Sequence, residues 1–158
     1  MIIKNKTKIT VKNLAACPKY IPLVSKWLWQ QWAKRHNRTL KEIIYRTKHS
    51  LTKKCPQTLI AFYNGQPAGT VSLFKTDHPY RQDLGPWLSY LFVPKKYRGQ
   101  GVGQALQIAL LETAKSAGFK YVYLMTDIKG YYEKVGWKFI ETGLYTEGRT
   151  VSFYKHKL

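Results

Sequence analysis

The segment from residue 94 to residue 104 reads Pro94-Lys95-Lys96-Tyr97-Arg98-Gly99-Gln100-Gly101-Val102-Gly103-Gln104. Its three glycines stand at alternate positions, after an apolar run that ends at Val93 and before an amphipathic run. Glycine lets the backbone turn with its N–H groups on one side, and the positive end of a helix dipole lies next to them. Lys95, Lys96 and Arg98 add positive charge, as a pyrophosphate requires. The segment therefore predicts an anion-binding turn between a strand and a helix.

The spacing of these glycines separates the turn from two common nucleotide sites. A P-loop needs Lys-Ser or Lys-Thr after its last glycine, and Gly103 is followed by Gln104. A GxGxxG turn has two residues between its second and third glycines, whereas a single residue separates Gly101 from Gly103. Both nucleotide folds are disfavoured. A glycine-rich turn with no ligand is the remaining alternative, and the three flanking cations count against it.

Periodicity predicts the elements on both sides of the turn. Residues 87–93 are almost wholly apolar, which is typical of a central strand buried on both faces. Residues 104–117 carry apolar side chains at helical spacing and end at Gly118. Upstream, residues 58–63 and 68–74 flank Asn64-Gly65, a strong signal for a hairpin of two antiparallel strands.

The outer parts of the chain complete the pattern. Residues 18–35 predict one amphipathic helix, and Thr39 with Glu42 predicts a capping box that starts a second helix. The remaining predicted elements are strands at 9–14, 121–126, 137–140 and 151–154 and a short helix at 131–135. This order predicts an α+β fold, a mixed and mostly antiparallel sheet flanked by helices, in a single domain over residues 1–158.

Composition excludes several classes of protein. The 158 residues are 44% hydrophobic and 15% aromatic, which excludes a disordered chain. No apolar run approaches the roughly 18 residues of a membrane span, and lysines interrupt any N-terminal signal segment. We therefore expect a cytoplasmic protein with no membrane partner. Cys17 and Cys55 have neither CxxC spacing nor companion ligands, so we expect neither a disulfide scaffold nor a metal site.

The charge is large and uneven. The net charge is +19, and residues 1–76 hold fifteen basic residues and a single acid, Glu42. Residues 77–158 hold twelve basic and seven acidic residues. A field of this kind attracts polyanions, whether nucleic acid, acidic protein or a phosphorylated cofactor. A lysine-rich solvated surface is the alternative, and lysine is a weaker sign of base readout than arginine.

Two motifs resemble one family. Arg98-x-x-Gly101-x-Gly103 fits the [QR]-x-x-G-x-[GA] signature of the GNAT acetyltransferases, and residues 130–137, Gly-Tyr-Tyr-Glu-Lys-Val-Gly-Trp, resemble the family's FYEKLGF segment. Two short segments, Pro86-Trp87-Leu88 and Gly136-Trp137, resemble the corresponding segments of a generic bacterial branch of that family. The resemblance covers essentially the whole chain and implies the GNAT fold and an N-acetyltransferase that uses acetyl-CoA.

The resemblance also implies roles for individual residues. The strand before the turn would splay from its neighbour and pair with the pantetheine arm through Leu91, Phe92 and Val93. The pyrophosphate would lie against a set of residues around the turn: Arg98, Gly99, Gln100, Gly101, Val102, Gly103 and Gln104. Tyr132 aligns with the family's tyrosine acid, which protonates the thiolate that leaves when an amine attacks the thioester.

The acceptor side is less defined by sequence. Residues 87–93 contain no carboxylate, so the base is open between water, which we favour, and the loop residues Asp77, Asp83 and His78. Asp77 and Asp83 are also candidates to bind a cationic amine, and Trp29 lies on the helix that borders the acceptor cleft in such proteins.

Other functions stay open at this point. A basic module that binds nucleic acid or an acidic protein is one alternative, with nucleic acid the less favoured partner. A sensor that binds CoA without turnover is another. The sequence does not separate small amines from protein amines as acceptors, nor a monomer from a homodimer.

Overall fold

A computed structural model describes residues 8–52 and 54–158. Seven strands form one sheet in the order β1-β2-β3-β4-β5-β7-β6, and three α-helices flank it. The strands are β1 Ile9–Asn13, β2 Gln57–Tyr63, β3 Gln66–Phe74, β4 Trp87–Phe92, β5 Tyr121–Thr126, β6 Lys138–Leu144 and β7 Thr150–Lys157. The helices are α1 Ile21–Leu28, α2 Leu40–His49 and α3 Val102–Ser116. All neighbouring strands are antiparallel except β4 and β5, so the predicted mixed α+β sheet is confirmed.

The sheet divides between β4 and β5. These strands pair only at Trp87 and Tyr123 in the described chain, and the Tyr123 N–H donates to the Pro86 carbonyl at 2.9 Å. On the other side of β4, its register with β3 shifts by one residue, so that Tyr90 and Leu91 on β4 both lie opposite Val71 on β3. The structure thus confirms the predicted splay and leaves the C-terminal half of β4 without a strand on its β5 side.

The local signals for the hairpin and for α2 are confirmed. Asn64 and Gly65 have φ values of +48° and +80°, the left-handed conformation that a tight hairpin turn needs. The Thr39 hydroxyl accepts from the Glu42 N–H at 3.2 Å, and the Glu42 carboxylate accepts from the Thr39 N–H at 2.9 Å. Both pairs depend on neighbouring residues alone, which is why sequence could specify them.

The predicted single helix over residues 18–35 is wrong in detail. A 3₁₀ turn precedes α1, and a π-helical segment Trp29–Ala33 and a 3₁₀ turn Lys34–His36 follow it. The Trp29 indole N–H donates to the Arg38 carbonyl at 2.8 Å and ties this segment to the residues before α2. Asn37, at φ +55°, then ends the segment. The tie between Trp29 and Arg38 is a contact that hydrophobic periodicity does not encode.

Three further predictions need correction. The short helix at 131–135 is a single 3₁₀ turn, Glu133–Val135, and β6 and β7 extend beyond the predicted strands. Burial of residues 87–93 on both faces holds for Trp87–Ser89, while the rest of β4 is half-buried because β5 diverges there. The helix after the glycine turn begins at Val102, two residues earlier than predicted.

The main core lies between α3 and the sheet. The α3 side chains Leu106, Leu110 and Ala114 are fully buried, whereas Ile108 is 51% exposed. A second cluster, with Val24 and Ile60 at its centre, holds α1 against β2. None of the helices in the described part of the chain has the length and apolar character needed to cross a bilayer.

Candidate active site

The glycine turn forms a cradle at the start of α3. Gly99 and Gly101 have φ values of +72° and +86°, a conformation that side chains with a Cβ rarely adopt. Gly101 is the N-terminal cap residue of α3, so the first-turn amides of Val102, Gly103 and Gln104 have no carbonyl in a preceding turn to bond. A helix start of this kind carries partial positive charge and free N–H donors. The sequence prediction of an anion-binding turn has the backbone geometry that it requires.

Side chains of the turn fix its shape. The Arg98 Nε donates to the Val93 carbonyl at 2.8 Å, and the Gln100 amide donates to the Lys96 carbonyl at 2.9 Å. Arg98 therefore closes the loop onto the end of β4 as well as adding charge. Lys95 and Lys96 are exposed beside it. The cations surround the cradle without filling it.

The cradle and β4 together fit an acetyl-CoA molecule. A pyrophosphate needs free N–H donors and positive charge, and the start of α3 supplies both. An arm that contains amides needs an unpaired strand edge, and β4 presents one on its β5 side beyond Trp87. Leu91, Phe92 and Val93 are half-buried along this stretch. Within the described residues, no group of three or more His, Cys, Asp or Glu side chains is placed to hold a metal ion.

Tyr132 lies in an aromatic cluster at the 3₁₀ turn after β5. It is 8% exposed, and its ring contacts those of Tyr131, Trp137 and Tyr154 at centroid distances of 4.9, 6.2 and 5.9 Å. Burial, and to a smaller degree the charge of Tyr131, raises the pKa of Tyr132 to about 12. Its phenol is therefore protonated at neutral pH and can donate a proton.

A buried glutamine supports this turn, and sequence reasoning missed it. Gln107 on α3 is 4% exposed, donates to the Tyr131 hydroxyl at 3.3 Å and accepts from the Trp137 indole N–H at 3.1 Å. These bonds hold the residues on both sides of Tyr132. Gln107 precedes Leu110 by three residues and Ala114 by seven, so its place on a buried helical stripe was the available signal.

Asp77 lies beside the C-terminal half of β4. Its carboxylate accepts from the Ser89 hydroxyl at 2.7 Å, and burial raises the pKa of Asp77 despite that hydrogen bond. Burial also raises the pKa values of Tyr90 and Tyr145, and the negative charge of Asp77 raises both further. Tyr90 has a φ of +54°, which is strained for an aromatic residue and is the kind of outlier found at functional sites. The structure therefore brings Asp77 to β4 next to two tyrosines.

The other acceptor-side candidates are placed differently. Asp83 is exposed and forms an ion pair with Arg81 at 3.0 Å, which lowers the pKa of Asp83. His78 is 3% exposed; its Nδ1 accepts from the Tyr80 N–H at 3.1 Å, so its Nε2 carries the proton donated to the Leu144 carbonyl at 2.9 Å. Both ring nitrogens of His78 therefore have hydrogen-bond partners within the fold.

Tryptophans of the first helical segment form a wall opposite β4. Trp32 contacts Tyr90 and Phe92 with centroid distances of 5.2 and 6.3 Å, and Trp27 contacts Phe92 at 5.8 Å. Trp29 is half-buried, with its indole bonded to Arg38 and its ring 5.4 Å from the Lys34 ammonium. Trp32 rather than Trp29 therefore contacts β4, and it does so at Tyr90, the residue whose pKa the charge of Asp77 also raises.

Solved structures with the same fold include several acetyltransferases. The chain superposes on an aminoglycoside 6'-N-acetyltransferase complexed with coenzyme A with a TM-score of 0.72 and 14% identity, covering 94% of this chain and 96% of that one. The aminoglycoside 6'-N-acetyltransferase of Enterococcus faecium gives a TM-score of 0.70 at 14% identity, with the same coverage of 94% and 96%. An acetyltransferase from Streptococcus agalactiae 2603 gives 0.65 at 20% identity, covering 95% and 98%. At these identities the similarity establishes the fold.

Sequence comparison supplies the family. No curated protein matches the sequence. The family model described as "Acetyltransferase (GNAT) family" matches residues 21–137, which include α1, the cradle and Tyr132. This match spans most of the chain and joins the two motifs from which the resemblance was drawn. The chain therefore belongs to the acetyltransferase (GNAT) family, and this membership supports an acetyl-CoA-dependent N-acetyltransferase.

Proposed function

We propose that the protein transfers the acetyl group of acetyl-CoA directly to a primary amine. The observation that carries the proposal is the continuity of the cradle with the unpaired edge of β4. The amides from Gly99 to Gln104 would hold the pyrophosphate, with Arg98 holding the loop closed. The backbone of Leu91, Phe92 and Val93 would pair with the arm. Acetyl-CoA supplies an activated thioester when it is bound.

Tyr132 is the proposed general acid. In direct transfer the amine nitrogen forms a bond to the acetyl carbon, the carbon–sulfur bond breaks, and the sulfur takes a proton. Tyr132 would hold that proton on its phenol oxygen, since a phenol is protonated at working pH even at the ordinary pKa of about 10. Burial raises the pKa of Tyr132 to about 12, which makes it a weaker acid than free tyrosine. The bonds from Gln107 to Tyr131 and Trp137 would keep the turn in place.

Asp77 is the proposed contact for the acceptor. A half-buried carboxylate whose charge reaches Tyr90, a ring that Trp32 contacts, attracts an ammonium group through its charge and through the faces of these rings. The amine must lose its proton before it attacks, and we propose that water removes it. Contacts of Asp83 and Trp29 with the acceptor stay predictions, as do a cytoplasmic location and a monomeric or homodimeric state.

Calorimetric titration with acetyl-CoA tests the donor site. Gly101→Glu would place a carboxylate in the cradle, and Gly101→Ala imposes a similar backbone strain at φ +86° without the charge. Gly103→Ala is a second control, because its Cβ would lie at an ordinary 3.8 Å from the Val93 side chain. We expect saturable binding by the wild type and Gly103→Ala, weaker binding by Gly101→Ala, and none by Gly101→Glu. Failure of the folded wild type to bind would refute the proposal.

A further inference from the structure

The first two helical segments carry an exposed set of positive charges. Eight lysine and arginine side chains between residues 19 and 48 are described, and all are exposed: Lys19, Lys26, Lys34, Arg35, Arg38, Lys41, Arg46 and Lys48. We call this set the basic helical face. The large positive charge of the N-terminal half is thus displayed on one pair of helical segments and the loops beside them.

In the described part of the chain, acidic side chains do not neutralise the positive charges of the basic helical face. Both ion pairs found among the described residues belong to Arg81, outside this face. Its only acid, Glu42, uses its carboxylate to cap α2. Lys19 and Lys34 lie over the rings of Tyr20 and Trp29, which do not cancel their charge. The face therefore presents an uncompensated positive field to whatever approaches it.

This face adjoins the acceptor side of the proposed site. Arg46 on α2 is near enough to Tyr90 for its charge to oppose the rise in the Tyr90 pKa. Trp32 lies in the helical segment that carries Lys34 and Arg35, and its ring contacts Tyr90 and Phe92 on β4. A molecule whose amine reached Asp77 would therefore extend past Trp32 and Arg46 toward the basic helical face.

We propose that the acceptor is an amine on an acidic polypeptide, which docks through its carboxylates on the basic helical face. This inference rests on the proposed function and names its acceptor class. Carboxylates complement the uncompensated cations, whereas a polycationic amine would be repelled by a surface of this sign. Five of the eight cations are lysines, flexible point charges that suit a mobile acidic segment better than base recognition. Polypeptides also carry the aliphatic amines that acetyl transfer needs, while the amino groups of nucleic-acid bases are conjugated and weakly nucleophilic.

A groove on the other side of Asp77 is the competing place for an acceptor. It has a volume of about 630 Å³, and its lining includes Arg81, Glu141, Tyr145 and Glu147. Arg81 pairs with both Asp83 and Glu141, so two of the nearby carboxylates already have a cation. A polyamine bound in this groove would be positively charged, whereas an acidic peptide is negatively charged. Acceptors of opposite charge therefore distinguish the two predictions.

The test compares peptide acceptors that share one acceptor amine and differ in charge. Three synthetic peptides share one N-terminal residue and continue with Glu-rich, Ser-Gly or Lys-rich sequence, with the lysines trimethylated at Nζ so that they keep their charge but cannot be acetylated; spermine and a small monoamine complete the panel. We expect kcat/KM at 50 mM salt to be at least tenfold higher for the Glu-rich peptide than for the Lys-rich one. The difference should shrink several-fold at 0.5 M salt, because screening reaches to within a few ångströms there.

Matched charge reversals locate the effect. Arg35→Glu/Arg38→Glu/Lys41→Glu removes positive charge from the basic helical face, and Lys120→Glu/Lys138→Glu/Lys157→Glu makes the same change of charge on the opposite half of the sheet. The first variant should lose at least tenfold in kcat/KM for the Glu-rich peptide and keep its rate with the small amine. The second should change both rates less than twofold. Anisotropy of the labelled Glu-rich peptide gives its binding without turnover.

Several results would overturn the inference. Equal rates with the three peptides, a preference for the Lys-rich peptide or spermine, or equal effects of the two triple variants would each do so. Transfer that requires added RNA or DNA and is abolished by nuclease would assign the face to nucleic acid instead. If acetyl-CoA binds and the small amine is acetylated in any of these cases, the proposed function stands; if acetyl-CoA does not bind, the proposed function fails first.

Discussion

Tyr132 is buried and its phenol is protonated. Its proposed role as general acid depends on the phenol oxygen alone. We expect Tyr132→Phe to lower kcat at least 100-fold, the lower end of about 10²- to 10⁴-fold for general acids, with the KM for acetyl-CoA within twofold of wild type. Steady-state release of CoA measures both constants. Tyr121→Phe, which removes an exposed phenol at the start of β5, is the control. An unchanged kcat in Tyr132→Phe would assign proton delivery to another group or to water, whereas binding of acetyl-CoA by the wild type without any turnover would favour a sensor.

Asp77, the proposed contact for the acceptor, lies where its negative charge is disfavoured. The folded protein raises the pKa of Asp77, so the folded state holds this proton more tightly than the unfolded chain does. The stabilisation is complete below the unfolded pKa and is lost as pH rises through the folded pKa, because desolvation disfavours the charged form. Asp77→Asn keeps a partner for Ser89 and removes that charge.

We therefore expect Asp77→Asn to melt at the same or a higher temperature while its KM for the amine acceptor rises about tenfold, the loss of one charge-assisted contact of about 1.4 kcal/mol. Thermal denaturation and acceptor titrations measure the two effects. Glu112→Gln, at an exposed position on α3, should change the KM by less than twofold. A lower melting temperature together with an unchanged KM would make Asp77 a structural residue only.

At the scale of elements, Gly69 on β3 sets how closely β4 and α3 approach. A Cβ at this position would lie 2.9 Å from the Phe92 carbonyl oxygen and 3.0 Å from the Leu106 side chain. The backbone oxygen cannot move away without displacing β4. We expect Gly69→Ala to lower the free energy of unfolding by about 1–3 kcal/mol, the usual cost of overpacking, as measured by urea denaturation. Gly103→Ala, whose Cβ would make only an ordinary contact with the Val93 side chain, should not lower the free energy of unfolding. Equal stability of the two variants would contradict this explanation.

The elements show what sequence could and could not predict. Asn64-Gly65, the Thr39 capping box and the glycine turn each depend on contacts within a few residues, and the structure confirms their geometry. The Asp77–Ser89 bond, the slip of β4 at Tyr90 and the Gln107 network join residues 12 to 30 positions apart or arise from strand register. No local pattern specifies such pairs. Sequence therefore predicted the backbone of the glycine turn, but it could not predict the contacts that surround Asp77 and Tyr90.

Across the whole molecule, the burial of three phenols and the hydrogen bond from Tyr154 to Glu133 make stability decrease at alkaline pH. The pKa values of Tyr90, Tyr132, Tyr145 and Tyr154 are all raised. Each contributes stability that is present below the unfolded pKa of about 10 and is lost as pH rises through the folded pKa. For Tyr132 alone the loss is about 1 kcal/mol by pH 11. Urea denaturation at pH 8 and pH 11 should show this decrease, and Tyr132→Phe should reduce it; a free energy of unfolding that is constant over this range would contradict the prediction.

The split between β4 and β5 also bears on cooperativity. One backbone pair, Trp87 with Tyr123, joins two half-sheets of four and three strands, and α3 packs mainly on the larger one. Amide hydrogens on the two sides of such a seam can exchange with solvent through separate opening events. A donor molecule that paired with β4 and packed on α3 would hold the two half-sheets together along this seam. Binding of the donor would therefore make the two half-sheets open more cooperatively.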